Sequence, residues 1–115
     1  MALLDDYKKF LREQGKSENT IKTYSGHVNE YYRWYKDTFG GELTLLYHTN
    51  ILDFRSYLQN IKKLKFKSID TKLSSLTSFN EFLVQIGVQK DLVITAEDRL
   101  KFQQEIASPA EIEKK

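Results

Sequence analysis

Two short polar segments of the chain share an order of residue types suited to holding a phosphate group. Residues 16–20 read Lys-Ser-Glu-Asn-Thr and residues 67–71 read Lys-Ser-Ile-Asp-Thr, and we call them the first and second signature. Serine is favoured at helix starts, where its side chain accepts a hydrogen bond from a free backbone N–H group. Such N–H groups, the positive end of the helix dipole and a lysine together favour an anion. Helix capping without any ligand explains either serine equally well when it is considered alone.

The net charge of +2 is unevenly distributed along the chain. Residues 62–72 contain five lysines and one aspartate, a local charge of +4, whereas the remaining residues carry −2. Residues 91–115 are acidic overall, also at −2, and are therefore a poor candidate for contact with nucleic acid. The basic cluster beside the second signature favours an acidic polymer as ligand, and a solvated basic face without a ligand is the alternative.

The composition favours one soluble helical domain. The chain lacks cysteine, which rules out disulfides and thiolate zinc sites. It has one proline and five glycines among its 115 residues. No apolar run approaches the roughly 18 residues that a membrane span requires, and charged residues interrupt the N-terminal apolar stretch, unlike in a signal peptide. Aromatic residues make up 13% of the chain without β-type alternation. We therefore expect a cytoplasmic, all-α protein that packs through large rings and does not contact membranes.

Apolar residues at helical spacing predict two helices in the first third of the chain. The first spans about residues 3–14 and ends at Gly15. The second starts after a Ser17 cap, runs to about Thr38 and ends before Gly40-Gly41.

A third and a fourth helix follow, with a short fifth helix predicted at 97–106. Thr49 or Asn50 is expected to cap the third helix. Its predicted inward residues are Ile51, Phe54, Leu58 and Ile61. The fourth helix follows the lysine-rich link, with Ser68 as its expected cap, and ends at Gly87. Its predicted inward residues are Ile69, Leu73, Leu76, Phe79, Leu83 and Ile86.

The two signatures open the second and fourth of these helices. If consecutive helices pack antiparallel, as short connections favour, helices two and four point the same way and their N-termini emerge on one side. The spacing therefore predicts that both signatures share one face.

Catalytic and cofactor motifs are not recognisable in the sequence. His27 and His48 are the only histidines and do not have metal-ligand spacing, so no metal site is predicted. There is no glycine-rich phosphate loop and no nucleophile elbow, so we predict no cofactor and no catalytic residue. Neither signature contains an arginine, which favours positioning on a phosphate backbone over reading of bases.

Several of these residues, in this order, resemble the core-binding domain of tyrosine recombinases, the family of phage integrases and Xer-like proteins. The resemblance covers about residues 3–88 and is strongest in the segment Ser-x-x-Thr-Ile-x-x-Tyr at 17–24 and in a later Ser-x-x-Thr helix that ends in Phe-x-x-Phe-Leu at 79–83. The other matching positions are Phe10, Leu11, Gly15, Trp34, residues 51–58, Leu73 and Leu76.

The resemblance implies a SAM-like bundle of four helices that forms half of a clamp around duplex DNA, with helices two and four facing the major groove. Carried over by position, it nominates as DNA-binding residues at helix two Lys16, Ser17, Thr20, Lys22 and Thr23. At helix four and its approach it nominates Lys65, Lys67, Ser68, Thr71, Lys72 and Ser75.

The resemblance also implies a domain organisation and partners. Residues 1–90 would be the DNA-binding domain and 91–115 a linker towards an absent catalytic domain, so the chain itself is not expected to be an enzyme. The implied partners are double-stranded DNA and, in the full-length synaptic complex, other recombinase protomers, whereas the isolated fragment is expected to be monomeric. The alternative is a helical protein-interaction module that does not bind nucleic acid.

Overall fold

The computed structural model describes residues 2–43, 45–95 and 98–99. Its four helices are α1 (Ala2–Glu13), α2 (Glu18–Phe39), α3 (His48–Asn60) and α4 (Phe66–Gln85). The described residues form no β-strand, so the prediction of an all-α fold with four helices is confirmed. The predicted fifth helix, 97–106, lies outside the described residues except for positions 98 and 99.

Aromatic rings make up much of the core, as predicted. Tyr7 of α1 packs edge-on against Phe79 of α4 with ring centroids 5.1 Å apart, and Phe10 packs against Phe82 at 5.3 Å. The Tyr7 hydroxyl donates to Ser78 Oγ at 2.9 Å, and burial raises the pKa of Tyr7. A second group of rings joins α2 to α3 and comprises Tyr31, Trp34, Phe54 and Tyr57.

Glycine ends α1 where the sequence predicts it. Gly15 adopts the left-handed conformation with φ +82°. Its N–H group donates to the carbonyl of Arg12 at 2.9 Å and the next N–H group, that of Lys16, donates to Leu11 at 3.1 Å. This Schellman arrangement satisfies carbonyls at the end of α1 and turns the chain directly into α2.

The start of α3 differs from the sequence prediction. Tyr47 is the N-cap of α3, so Thr49 and Asn50 lie inside the first turn and are not the cap. His48 at this start donates from Nδ1 to the carbonyl of Val93 at 2.9 Å, so contacts distant in sequence help to fix where α3 begins.

The apolar stripes of α3 and α4 end earlier than predicted. Ile61 is 70% exposed and Ile86 is 45% exposed, because each residue immediately follows the end of its helix. The prediction that these two residues point inward is therefore wrong.

The chain beyond α4 folds back onto the bundle. Gln89 is buried and its side chain bonds both backbone groups of Leu46, donating to the carbonyl at 2.7 Å and accepting from the N–H group at 3.2 Å. Ile94 is 2% exposed and belongs to the core. Val93 and Ile94, within the predicted linker, therefore pack against α3 and α4.

Candidate nucleic-acid interface

The first signature is a capped helix start. Ser17 is the N-cap of α2, and its Oγ accepts a hydrogen bond from the backbone N–H group of Thr20 at 3.1 Å. The same hydroxyl donates to Thr20 Oγ1 at 2.9 Å. Lys16 and Ser17 are exposed, so this capped helix start remains accessible from solvent.

The second signature is not a helix start, contrary to the sequence prediction. The N-cap of α4 is Lys65, and Ser68 lies inside the first turn. Phe66 explains the difference, because its half-buried ring packs against the core. The helix therefore begins at Phe66, before Ser68. Thr71 donates from its hydroxyl to the carbonyl of Lys67 at 2.9 Å, a bond within the helix rather than a cap.

Helices α2 and α4 run in opposite directions where they pack, so the prediction that their N-termini emerge side by side is wrong. Lys72 of α4 pairs with Glu30 of α2, and Ser75 of α4 bonds His27 of α2. The contacts thus move forward along α4 as they move backward along α2. Helices two and four would point the same way only if each connection reversed the chain direction. The connection of residues 40–47 is long enough to join α2 to α3 without a reversal.

The signatures nevertheless border the same accessible row of α4. Lys67, Thr71, Ser74 and Ser78 follow helical spacing along one side of α4, and we call this row the α4 strip. Lys16 lines an open groove of about 240 Å³ together with Ser74 and Ser78. The first signature therefore lies at one end of the strip and the second signature at the other.

The length of the strip is comparable to a short stretch of duplex. Ser78 lies 11 residues after Lys67, which corresponds to about 16 Å along the axis of α4. At about 3.4 Å per base pair, this distance matches roughly five base pairs. Two lysine-bearing ends at this separation can contact phosphates several nucleotides apart.

Two of the nominated residues on α4 are engaged inside the protein. Ser75 has no exposed surface, and its hydroxyl lies 2.8 Å from His27 Nδ1. Lys72 forms a partly buried ion pair with Glu30. Burial, together with the charge of Lys72, lowers the pKa of His27. Ser75 therefore offers no atom to a ligand in this structure, and most of the charge of Lys72 is matched by Glu30.

Lys22 lies apart from the other nominated residues of α2. It lines an open groove between α1 and α2, together with Lys8, Arg12 and Glu18. Lys22 is two residues from Thr20, so their side chains point about 160° apart around the helix axis. Thr23 is exposed. The structure thus brings Lys16, Ser17 and Thr20 together and directs Lys22 to a different side of α2.

The lysines before α4 and in its first turn form an exposed, positively charged segment at one end of the strip. Lys62, Lys63, Lys65 and Lys67 are all exposed. The side chain of Lys65, the N-cap residue of α4, makes no capping hydrogen bond. Several positive charges therefore meet the positive end of a long helix dipole.

Sequence reasoning missed two parts of this surface. Ser74 and Ser78 of the α4 strip were detectable, because small polar residues recur opposite the apolar stripe of α4. Arg99 was not detectable, since it belongs to the acidic C-terminal region and contacts distant in sequence, including its ion pair with Asp70, bring it to this surface.

Other kinds of site find no support in the residues that the structure describes. Those residues include no group of three or more His, Cys, Asp or Glu placed to hold a metal ion. None of their helices is long and apolar enough to cross a membrane.

Comparison with known proteins decides the family. The family model described as "Phage integrase, N-terminal SAM-like domain" matches residues 3–89. The chain belongs to this family. The resemblance to recombinase core-binding domains is therefore confirmed, and the four helices are those of a SAM-like domain.

A curated relative of this phage integrase SAM-like domain is named TnP I resolvase and comes from Bacillus thuringiensis. The two are 42% identical over 112 residues, which cover 97% of this chain and 39% of the relative. The chain thus spans about two fifths of that protein's length. No solved structure matches the chain.

Proposed function

We propose that this SAM-like domain binds duplex DNA at the core site of a site-specific tyrosine recombinase and positions it for strand exchange. Strand cleavage would be carried out by a separate catalytic domain. The family match supports the recombinase assignment, and so does the resolvase relative, which is much longer than this chain.

The observation that carries the DNA-binding proposal is the charge at the start of α4. Four exposed lysines, at 62, 63, 65 and 67, lie within a six-residue segment at the start of α4, where the N-cap side chain of Lys65 makes no capping hydrogen bond. Further along the α4 strip, the hydroxyls of Ser74 and Ser78 can donate to phosphate oxygens, a contact that does not read base identity. At its far end, Lys16, Ser17 and Thr20 add a second charged and polar group.

The structure changes the set of residues that we assign to the interface. We keep Lys16, Ser17, Thr20, Thr23, Lys65, Lys67, Ser68 and Thr71, which have exposed or half-exposed side chains on or beside these elements. Ser75 is left out because it is buried, Lys72 because Glu30 matches its charge, and Lys22 because it faces the α1–α2 groove.

Fluorescence anisotropy with a labelled duplex of mixed sequence tests the proposal. Affinity should fall steeply with salt. The double variant Lys65→Gln/Lys67→Gln should reduce the slope of log K against log salt by about 1.8, which is 0.9 for each of the two phosphates no longer neutralised. The matched control is Lys9→Gln/Lys90→Gln, which removes the same charge at exposed positions elsewhere.

The outcomes separate the candidate functions. A reduced slope in the Lys65/Lys67 variant alone supports the proposal. An equal reduction in both variants means that net charge, not this surface, governs binding. No binding by the wild-type domain at low salt contradicts the proposal and favours a helical protein-interaction module.

A further inference from the structure

Arg99 is held against α4 rather than extending away from the bundle. Its Nε donates to Asp70 Oδ1 at 3.0 Å and its Nη2 donates to Oδ2 at 3.4 Å, a two-bond arrangement in which both side chains are partly buried. Paired bonds between planar groups fix a guanidinium far better than a single contact does.

The backbone that carries Arg99 is also anchored. The carboxylate of Asp98 accepts hydrogen bonds from the backbone N–H group and the hydroxyl of Thr95, at 3.0 and 3.1 Å. The Thr95 hydroxyl in turn accepts from the N–H group of Asp98 at 3.3 Å. Immediately before Thr95, Ile94 is buried in the core. These contacts hold Arg99 at a defined position against the side of α4.

That position borders the groove at the Lys16 end of the α4 strip. Arg99 lines this groove together with Lys16 and with the hydroxyl residues Ser74 and Ser78. Glu81 is the single acidic residue among those that line it. A guanidinium has five N–H donors, and the pair with Asp70 uses two of them. Donors therefore remain for an anion in the groove.

We propose that Arg99 is a further phosphate-contacting residue of the DNA interface and that Asp70 is the residue that positions it. The inference depends on the proposed function and extends the interface to residues beyond the family match, which ends at 89. Lys16 and Arg99 approach one backbone phosphate from two walls of the groove, while hydroxyls of the α4 strip donate to it.

A purely structural role for Arg99 is the competing explanation, and the variant pair Arg99→Gln and Asp70→Asn separates the two. Both variants break the same ion pair, so thermal denaturation should show similar losses of stability. Only Arg99→Gln removes the cation, so only this variant should reduce the salt slope, by about 0.9. Asp70→Asn releases the guanidinium from its position but keeps its charge, so it should lower duplex affinity with an unchanged salt slope. Lys90→Gln is the control, because it removes one positive charge from an exposed position of the same segment.

Three results overturn the inference. The first is a wild-type salt slope in Arg99→Gln while Lys65→Gln/Lys67→Gln has a reduced slope, which leaves the proposed function intact. The second is an equal reduction of the salt slope in Arg99→Gln and Asp70→Asn, which indicates a structural role. The third is no duplex binding by the wild type, which contradicts both proposals.

A second variant covers the case in which Arg99→Gln does not fold. Arg99→Lys keeps the charge but not the planar two-bond geometry. We expect lower duplex affinity with an unchanged salt slope, and wild-type affinity in this variant contradicts the inference.

Discussion

Asn80 of α4 binds the backbone of Val93, whose N–H group donates to Asn80 Oδ1 at 2.6 Å. The same oxygen accepts from the N–H group of Ile94 at 3.3 Å, and Asn80 Nδ2 donates to the carbonyl of Asp91 at 3.3 Å. Asn80 is completely buried. The three hydrogen bonds of this one amide side chain thus attach the segment after α4 to the bundle.

Replacing Asn80 should destabilise the whole domain. Asn80→Ala leaves the N–H groups of Val93 and Ile94 without their acceptor, and we expect the free energy of unfolding to fall by about 2–3 kcal/mol. Urea denaturation measures the change. Asn60→Ala, at an exposed position on α3, is the control and should stay within about 0.5 kcal/mol of the wild type. Similar values for both variants would show that the segment contributes little to stability.

The two signature serines should respond differently to alanine. Ser17 accepts a hydrogen bond from a backbone N–H group at the start of α2, so Ser17→Ala should cost about 1 kcal/mol. Ser68 is exposed inside the first turn of α4, so Ser68→Ala should change stability by less than about 0.5 kcal/mol. Equal losses in urea denaturation would mean that Ser68 also acts as a cap.

The helix count, the glycine stop after α1 and most inward residues were predictable because they depend on local spacing. Ile51, Phe54 and Phe79 are buried as their helical periods require. What failed depends on residues far apart in the chain. Sequence spacing showed neither Glu30 opposite Lys72, 42 residues away, nor Asp70 opposite Arg99, 29 residues away.

The candidate site was predictable to a similar degree. Lysine clustering located the approach to α4, and the repeated motif located the start of α2. The relative direction of α2 and α4 was not predictable, because the connection of residues 40–47 does not fix it. The inward turn of Ser75 likewise depends on His27 from another helix.

Removing the hydroxyl of Tyr31 should not weaken the protein. This hydroxyl is buried and has no hydrogen-bond partner among the described residues, and burial raises the pKa of Tyr31. Tyr31→Phe should therefore increase the free energy of unfolding by about 1 kcal/mol. Tyr7→Phe is the matched control and should lower it by about 1 kcal/mol, because the Tyr7 hydroxyl bonds Ser78. A decrease in stability in Tyr31→Phe contradicts the expectation.

Stability should decrease as the pH falls below the ordinary pKa of histidine. Burial lowers the pKa of His27 below its usual value of 6.5, so the unfolded chain binds a proton more readily than the folded domain. His27 therefore favours folding above pH 6.5, and this contribution declines with acidification until the lowered pKa is passed. Two charged groups face His27: Lys72 lowers the pKa of His27 and Glu30 raises it.

Thermal denaturation between pH 5 and 8 measures this effect. His27→Gln should show a smaller decrease in melting temperature on acidification than the wild type. His48→Gln is the control, since His48 is exposed at the start of α3. An equal decrease in the wild type and His27→Gln would assign the pH dependence to other groups.

The most direct test of the proposed interface is a two-dimensional amide NMR titration of the domain with duplex DNA. We predict that the largest shift changes occur at residues 16–20, at 65–71 and along the α4 strip to Ser78. Amides of Lys8 and Arg12, which line the α1–α2 groove, and amides near Tyr47 and Val88 should change little. Changes concentrated around Tyr47 and Val88, or none at residues 65–71, would contradict the proposed interface.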